Sequence, residues 1–262
     1  MKIQDVIARI EAIAPLSGAA AWDHSGVQVA GDVPDIQRLA VTIDPTPEAV
    51  SKALDWGAGC VLTHHPLGIE PKYLDTPGPF LDTVRLAMRA GAWLYAAHTS
   101  LDARPNGPAG WLPRALGLTG TTILEPTDPA DPAVGIGLAG DMPAPLSFEA
   151  FLAELGRHVE RRDWSLSGPV PATVSRVAVC PGSGGSLFGA VAAAGADAYV
   201  TGDIKYHQGL EAPCAVVDVG HFTLEETMTR LLAEDLSRSL AGEVEVRFLE
   251  GRDPFITHAP AP

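Results

Sequence analysis

A chain of 262 residues with 46% hydrophobic and 19% charged side chains has apolar surface for a substantial core, in one large or two smaller domains, and is not disordered. Its formal net charge of -14 argues against a broad nucleic-acid or anionic-membrane surface, because phosphate binding needs a basic footprint; a small anionic substrate is compatible if its site supplies positive charge. No apolar run approaches the ~18 residues of a membrane span, and the three cysteines, Cys60, Cys180 and Cys214, lie far apart with no C-x-x-C pair. They read as small buried thiols in a reducing, cytoplasmic protein.

The N-terminal stretch carries Ile3, Val6, Ile7, Ile10 and Ile13 at helical spacing, interrupted by acids, which predicts an amphipathic helix and no secretory signal. RLAVTID (38 to 44) then reads as a strand, EAVSKALDWGAG (48 to 59) as a helix with a glycine stop, and CVLTHH (60 to 65) as a second strand. Adjacent side chains on a strand point to opposite faces, so His64 and His65 can serve one site only if the strand has ended, and Pro66 supports that ending. The other reading is a solvated pair at a strand end.

The same pattern returns 138 residues later: RVAVCPG (176 to 182), the small-residue helix SLFGAVAAAGAD, then AYVTGD (198 to 203). Gly57 and Gly195 lie 19 residues beyond Arg38 and Arg176, and Thr63 and Thr201 lie 25 beyond, so an internal duplication is expected. Each half adds one more apolar strand ending in polar residues, AWLYAAHTSLD (92 to 102) and CAVVDVGHFTLEE (214 to 226). Alternating strands and helices predict α/β units with largely parallel strands, whose ligands collect at the carboxyl ends of the strands. The division is set at 1–124 and 125–262, with the C-terminal segment able to return to the first half, and the Pro- and Asp-rich LEPTDPADPAVG (124 to 135) is taken as the crossing.

The strand-end polar residues share one chemistry: His64 and His65, His98 and Asp102, His221 and Glu225. His221 and Glu225 are four apart where a helical pattern through Leu224, Met228, Leu231 and Leu232 begins, and so share a face. Mixed imidazole and carboxylate ligation suits zinc, iron, manganese and other first-row cations. Such a set can hold two ions about 3.5 to 4 Å apart with positions open for water.

THHPL, AAHTSLD, PGSGG, TGDIKYH and DVGHFTLEE, with WDHSGVQVAG near the start, resemble the successive motifs of the Nif-three-like family, also described as GTP cyclohydrolase I type 2 homologues or dinuclear metal centre proteins. The resemblance runs from about residue 1 to 257. It implies two related α/β halves, two divalent metal ions in the cleft between them, and hexamers. It also implies His64, His65, Asp102, His221 and Glu225 as ligands, with Glu225 bridging. His24 stands where the family has asparagine, and Ser100 where asparagine is common, so no implied ligand is altered.

Around this set, His98 reads as an orienting or proton-moving neighbour of the ligands, with direct ligation as the alternative. Asp44 orients a ligand histidine or belongs to the helix turn at Thr46, and Asp203 has the same orienting role in the second half. Lys205 can pair with a phosphate and His207 can move protons, while His24 beside Asp23 can reach the site. PGSGGS lacks the GK[ST] of a phosphate loop and reads as a tight turn. The function expected is hydrolysis by metal-activated water, with GTP as one candidate substrate; the alternative is a non-enzymatic metal-binding or metal-insertion protein.

Overall fold

In the computed structural model, residues 1–256 and 258 are described; the remaining residues of the predicted second half, Thr257 and 259–262, lie outside them. The chain forms two compact units, Met1–Pro108 with Glu226–Gly251, and Ala109–Glu225 with the segment from Arg252.

The first unit carries a five-stranded sheet in the order β1 (Gly26–Val29), β4 (Trp93–Ala96), β3 (Cys60–Thr63), β2 (Arg38–Thr42), β11 (Glu245–Phe248). The pairs β4–β3, β3–β2 and β2–β11 are parallel, and β1 runs antiparallel to β4. Helix α2 (Pro47–Asp55) starts where the Thr46 hydroxyl accepts the Ala49 N–H, and it buries Val50 and Ala53 against Ala40, Val61 and Leu94. Tyr95 is the neighbour of Leu94 and so points to the opposite face, where its hydroxyl donates to Glu11 of α1 (Ile3–Ile13). The helix predicted from the isoleucine spacing is therefore present, with Ile3, Val6 and Ile10 buried.

The second unit holds a six-stranded sheet in the order β5 (Thr119–Pro126), β6 (Gly135–Ser147), β8 (Thr173–Ser183), β9 (Ala198–Gly202), β10 (Ala215–Asp218), β7 (Ser165–Ser167). Strand alternation sorts its core onto two faces. Val177, Val179, Val200 and Val217 pack with Phe151 and Leu155 of α6 (Phe148–His158), whereas Ala178, Cys180, Tyr199 and Val216 pack with Val191 of α7 (Phe188–Ala193). The segments matched by the 138-residue offset become β2-α2-β3 and β8-α7-β9, each followed by a parallel third strand, β4 or β10. Two related α/β units are thus the fold.

Two expectations need correction. The second sheet is mixed, because β5, β6 and β7 each pair antiparallel with their neighbours. The stretch from 124 to 135 closes the β5–β6 hairpin, running from the end of β5 through its turn to Gly135, which pairs with Pro126, and the units divide earlier, at Pro108. Its prolines and aspartates serve a hairpin turn inside one unit, which has the same composition as a linker.

No helix among the described residues is long and apolar enough to cross a membrane. All three cysteines are buried, and burial pushes the Cys60 thiol up to about 12 and that of Cys214 to about 11. At pH 8 only on the order of one Cys60 in ten thousand is thiolate. Native protein treated with iodoacetamide at pH 8 is therefore expected to stay unmodified at Cys60 and Cys214 by peptide mass mapping, and both become labelled in denaturant.

Candidate metal centre

Because β2, β3 and β4 are parallel, their carboxyl ends open on one side of the first sheet. β3 stops at Thr63, whose hydroxyl turns back to donate to the His65 carbonyl at 2.6 Å. His64 and His65 still donate their backbone N–H groups to Thr42 and Ile43, but their rings no longer alternate across a sheet; the centroids are 4.9 Å apart. From the end of β4 comes His98, at the N-terminus of the short helix α4 (Thr99–Asp102), with its ring 5.4 Å from that of His64 and 5.7 Å from that of His65. Donor nitrogens of the three imidazoles lie within 4.8 Å of one another. Asp102, one helical turn after His98, brings Oδ1 to 3.8 Å from His64 Nε2.

Each of these rings is held at Nδ1 by an oxygen. His64 Nδ1 donates to the Ala97 carbonyl at 2.9 Å, His65 Nδ1 to Asp44 at 2.8 Å, and His98 Nδ1 to Asp23 at 2.7 Å. An oxygen at Nδ1 makes that nitrogen the N–H and leaves the lone pair on Nε2, the tautomer a metal ligand requires. Asp23 is itself fully enclosed. Burial alone would raise its carboxyl, but hydrogen bonds from His98, Ser25 and Thr99 outweigh that and hold it well below the usual carboxylate range. Asp23 therefore stays ionised and His98 stays fixed.

In the second unit, β8, β9 and β10 are also parallel, and α9 (His221–Ser239) begins just after β10. His221 Nδ1 donates to Asp203 at 2.8 Å, while Nε2 lies 2.7 Å from Glu225 Oε2, one turn along the same helix. Gly182, with φ of +66°, runs beneath this pair, and a Cβ there would collide with Glu225 Oε1. Asp203 is the one non-glycine residue with positive φ among the described residues, at 56°. Lys205 and His207 stand exposed at and on α8 (Tyr206–Leu210), and the His221, Asp203 and Glu225 set does not include them.

Sequence spacing alone singled out His64, His65, His98, Asp102, His221 and Glu225, and the structure groups the first four in one unit and the last two in the other. Asp44 and Asp203 each hold an imidazole. The Thr46 side chain supplies the helix cap that competed for Asp44. His24, which the sequence offers as a residue reaching the site, is exposed, and its neighbour Asp23 turns inward instead. The available signal was D-x-S, an aspartate two residues before a hydroxyl, which favours a carboxylate locked by local hydrogen bonds.

A family model described as Duf34/NIF3 (NGG1p interacting factor 3) matches residues 1–254. The chain belongs to this family. NIF3 relatives include the "GTP cyclohydrolase 1 type 2 homolog" of Streptomyces coelicolor, 32% identical over 90% of this chain and 85% of that protein, and that of Halobacterium salinarum, 31% identical over 95% and 98%. Among solved structures, a Bacillus cereus protein related to NIF3 aligns with a TM-score of 0.86 at 21% identity, covering 98% of this chain and 99% of the other. Reduced HcgD from Methanocaldococcus jannaschii aligns at 0.82 and 28%, covering 95% and 98%.

The donors present in this NIF3 chain fit a divalent first-row cation: imidazoles and carboxylates, with ring tautomers fixed by outer oxygens. Gly182 provides a second sign of fit, since the space beside Glu225 is kept clear of a side chain. Removing an outer carboxylate should loosen the ring it holds. Asp44→Ala and Asp203→Ala are each expected to weaken metal affinity about 10- to 100-fold, measured by titration against a competing chelator, with little change in thermal unfolding of the metal-free protein. Gly182→Ala, which forces Glu225 aside and strains a left-handed φ, should also weaken metal binding, whereas Gly189→Ala, in open space on α7, should not.

Proposed function

We propose that this chain is a metal-dependent hydrolase that holds two divalent ions through His64, His65 and Asp102 of the first unit and His221 and Glu225 of the second. The observation carrying this reading is that four imidazoles at strand ends or a helix start are each tied at Nδ1 to an oxygen. Solvated surface histidines have no need of such fixing. When bound, divalent cations supply Lewis acidity toward a substrate oxygen and acidify water near neutral pH.

The chain's own residues supply the rest. His98, partly open to solvent and held by ionised Asp23, takes up a proton at Nε2, and the Asp23 carboxylate stabilises the imidazolium so formed. Asp44 and Asp203 keep His65 and His221 in one orientation, so that no ring has to turn as charge develops. Lys205 and His207, exposed at α8, are assigned no step. The printed name of the relatives makes GTP the first substrate to assay, beside phosphoesters and amides.

A metal-insertion role is the second reading, favoured by the partial exposure of the His65 and His221 side chains, 24% and 29%, which gives an incoming chelator access. Protein loaded with zinc, manganese, iron or cobalt is expected to hydrolyse at least one of these substrate classes, with kcat/KM falling at least ~100-fold in His65→Ala and Glu225→Gln. His98→Ala should lower kcat while retaining bound metal. Equal rates in wild type and all three variants, together with transfer of metal to a chelator within seconds, would establish insertion and sink the hydrolase.

A further inference from the structure

The first unit contains a cavity of about 450 Å³ that none of the metal donors lines. One wall is a stripe on α3 (Pro79–Ala90) formed by Phe80, Val84 and Met88, which recur every four residues and so share a face. The loop that follows the histidine pair also lines it, contributing Leu67 and Ile69. This loop is fastened in place: Gln28 accepts the Leu67 N–H at 3.1 Å and donates its own amide to the carbonyls of His24 and Gly26. Met88 and Ile69 are 63% and 43% exposed, so the apolar wall opens to solvent.

We propose that this cavity is a ligand site for a flat apolar ring body bearing at most one negative charge, and, resting on the hydrolase reading, that the body belongs to the substrate. Volume is the first argument, since about 450 Å³ falls within the range of small-molecule pockets. Charge is the second. Lys72, with Nζ 5.4 Å from the Phe80 ring centre, is the one lysine among the described lining residues, and Glu70 also lines the cavity, so one anionic group can be matched and a cluster of them cannot. Polarity is the third: the amide of Gln28 is already engaged, and Leu67, Ile69, Phe80, Val84 and Met88 offer apolar surface to a ring face, while a triphosphate would meet a single lysine. Location is the last. Leu67 is two residues beyond His65, and His24 is next to the Asp23 that holds His98, so cavity and imidazoles are built on the same two loops.

The probe is anilinonaphthalene sulfonate, a flat monoanion, titrated by fluorescence into metal-free full-length protein. One molecule per chain is expected to bind with a blue-shifted emission. Ile69→Glu and Met88→Glu, both at exposed positions that tolerate charge, should weaken binding about tenfold or more, while Leu210→Glu, an exposed leucine of the other unit, should not. Lys72→Ala should weaken the sulfonate probe more than the uncharged N-phenylnaphthylamine, and millimolar GTP should displace neither.

Unchanged binding in Ile69→Glu and Met88→Glu overturns the proposal, as does displacement of the probe by GTP. So does loss of binding with rising protein concentration, which would mean a second copy of the chain covers the cavity. Because the probe is read without metal, absent turnover in loaded protein with probe binding intact defeats the hydrolase reading instead.

Discussion

A histidine can ligate a metal through either ring nitrogen, and a site that leaves the choice open loses affinity to ring rotation and to the wrong tautomer. In this chain the choice is closed at every imidazole of the candidate centre by an oxygen at Nδ1: a backbone carbonyl for His64, and Asp44, Asp23 and Asp203 for the other three. Much of the surrounding structure is arranged to hold those oxygens. Ala97 follows β4, Asp44 follows β2, and Asp203 follows β9, so parallel strands deliver the acceptors as well as the ligands. Asp23 comes from outside the parallel strands, and hydrogen bonds from His98, Ser25 and Thr99 together keep it ionised while enclosed.

The duplication shows how one scaffold was put to two uses. At the 138-residue offset, His65 corresponds to Asp203 and Asp44 to Gly182. In the first unit the end of β3 supplies the imidazole and the end of β2 supplies its carboxylate. In the second unit the carboxylate follows β9, the imidazole comes from the start of α9, and the corresponding position, near the end of β8, is a glycine that leaves room for Glu225. The matched threonines hold both versions of the corner: Thr63 donates to the His65 carbonyl, and Thr201 to the Gly182 carbonyl. Helix α9 belongs to both units along its length, His221 and Glu225 to the second and Glu226 onward to the first, and Glu226 accepts the Gly251 N–H at the exit of β11.

What could be read from sequence followed physical periodicity. Apolar residues at helical spacing marked α1 and α9, and the β2-α2-β3 and β8-α7-β9 segments stood out because buried parallel strands are continuous runs such as LAVT and AYVT. Strand-end polar residues marked the ligand candidates because parallel sheets bring carboxyl ends together. The β5–β6 hairpin was illegible for the complementary reason. Most of β5 is exposed, so no apolar alternation marks it, and its proline-rich turn looks like a linker. Asp23 was legible only locally: D-x-S marks a carboxylate bonded by its neighbour, but its role depends on His98, 75 residues away, and has no periodic signal.

The backbone at Asp203 supports the functional reading independently of donor chemistry. A non-glycine residue in the left-handed region costs on the order of 1 kcal/mol, less for aspartate than for most, and glycine would remove that cost. Gly202 cannot take over the carboxylate's position, because a side chain there would strike the backbone of His221. The carboxylate must therefore be carried by the next residue, at a φ of 56°, for its oxygen to reach His221 Nδ1 at 2.8 Å. A stretch optimised only for stability would place glycine at 203. That the chain keeps an aspartate in this conformation locates strain where His221 is oriented, and orientation of a ligand imidazole is the gain that offsets it.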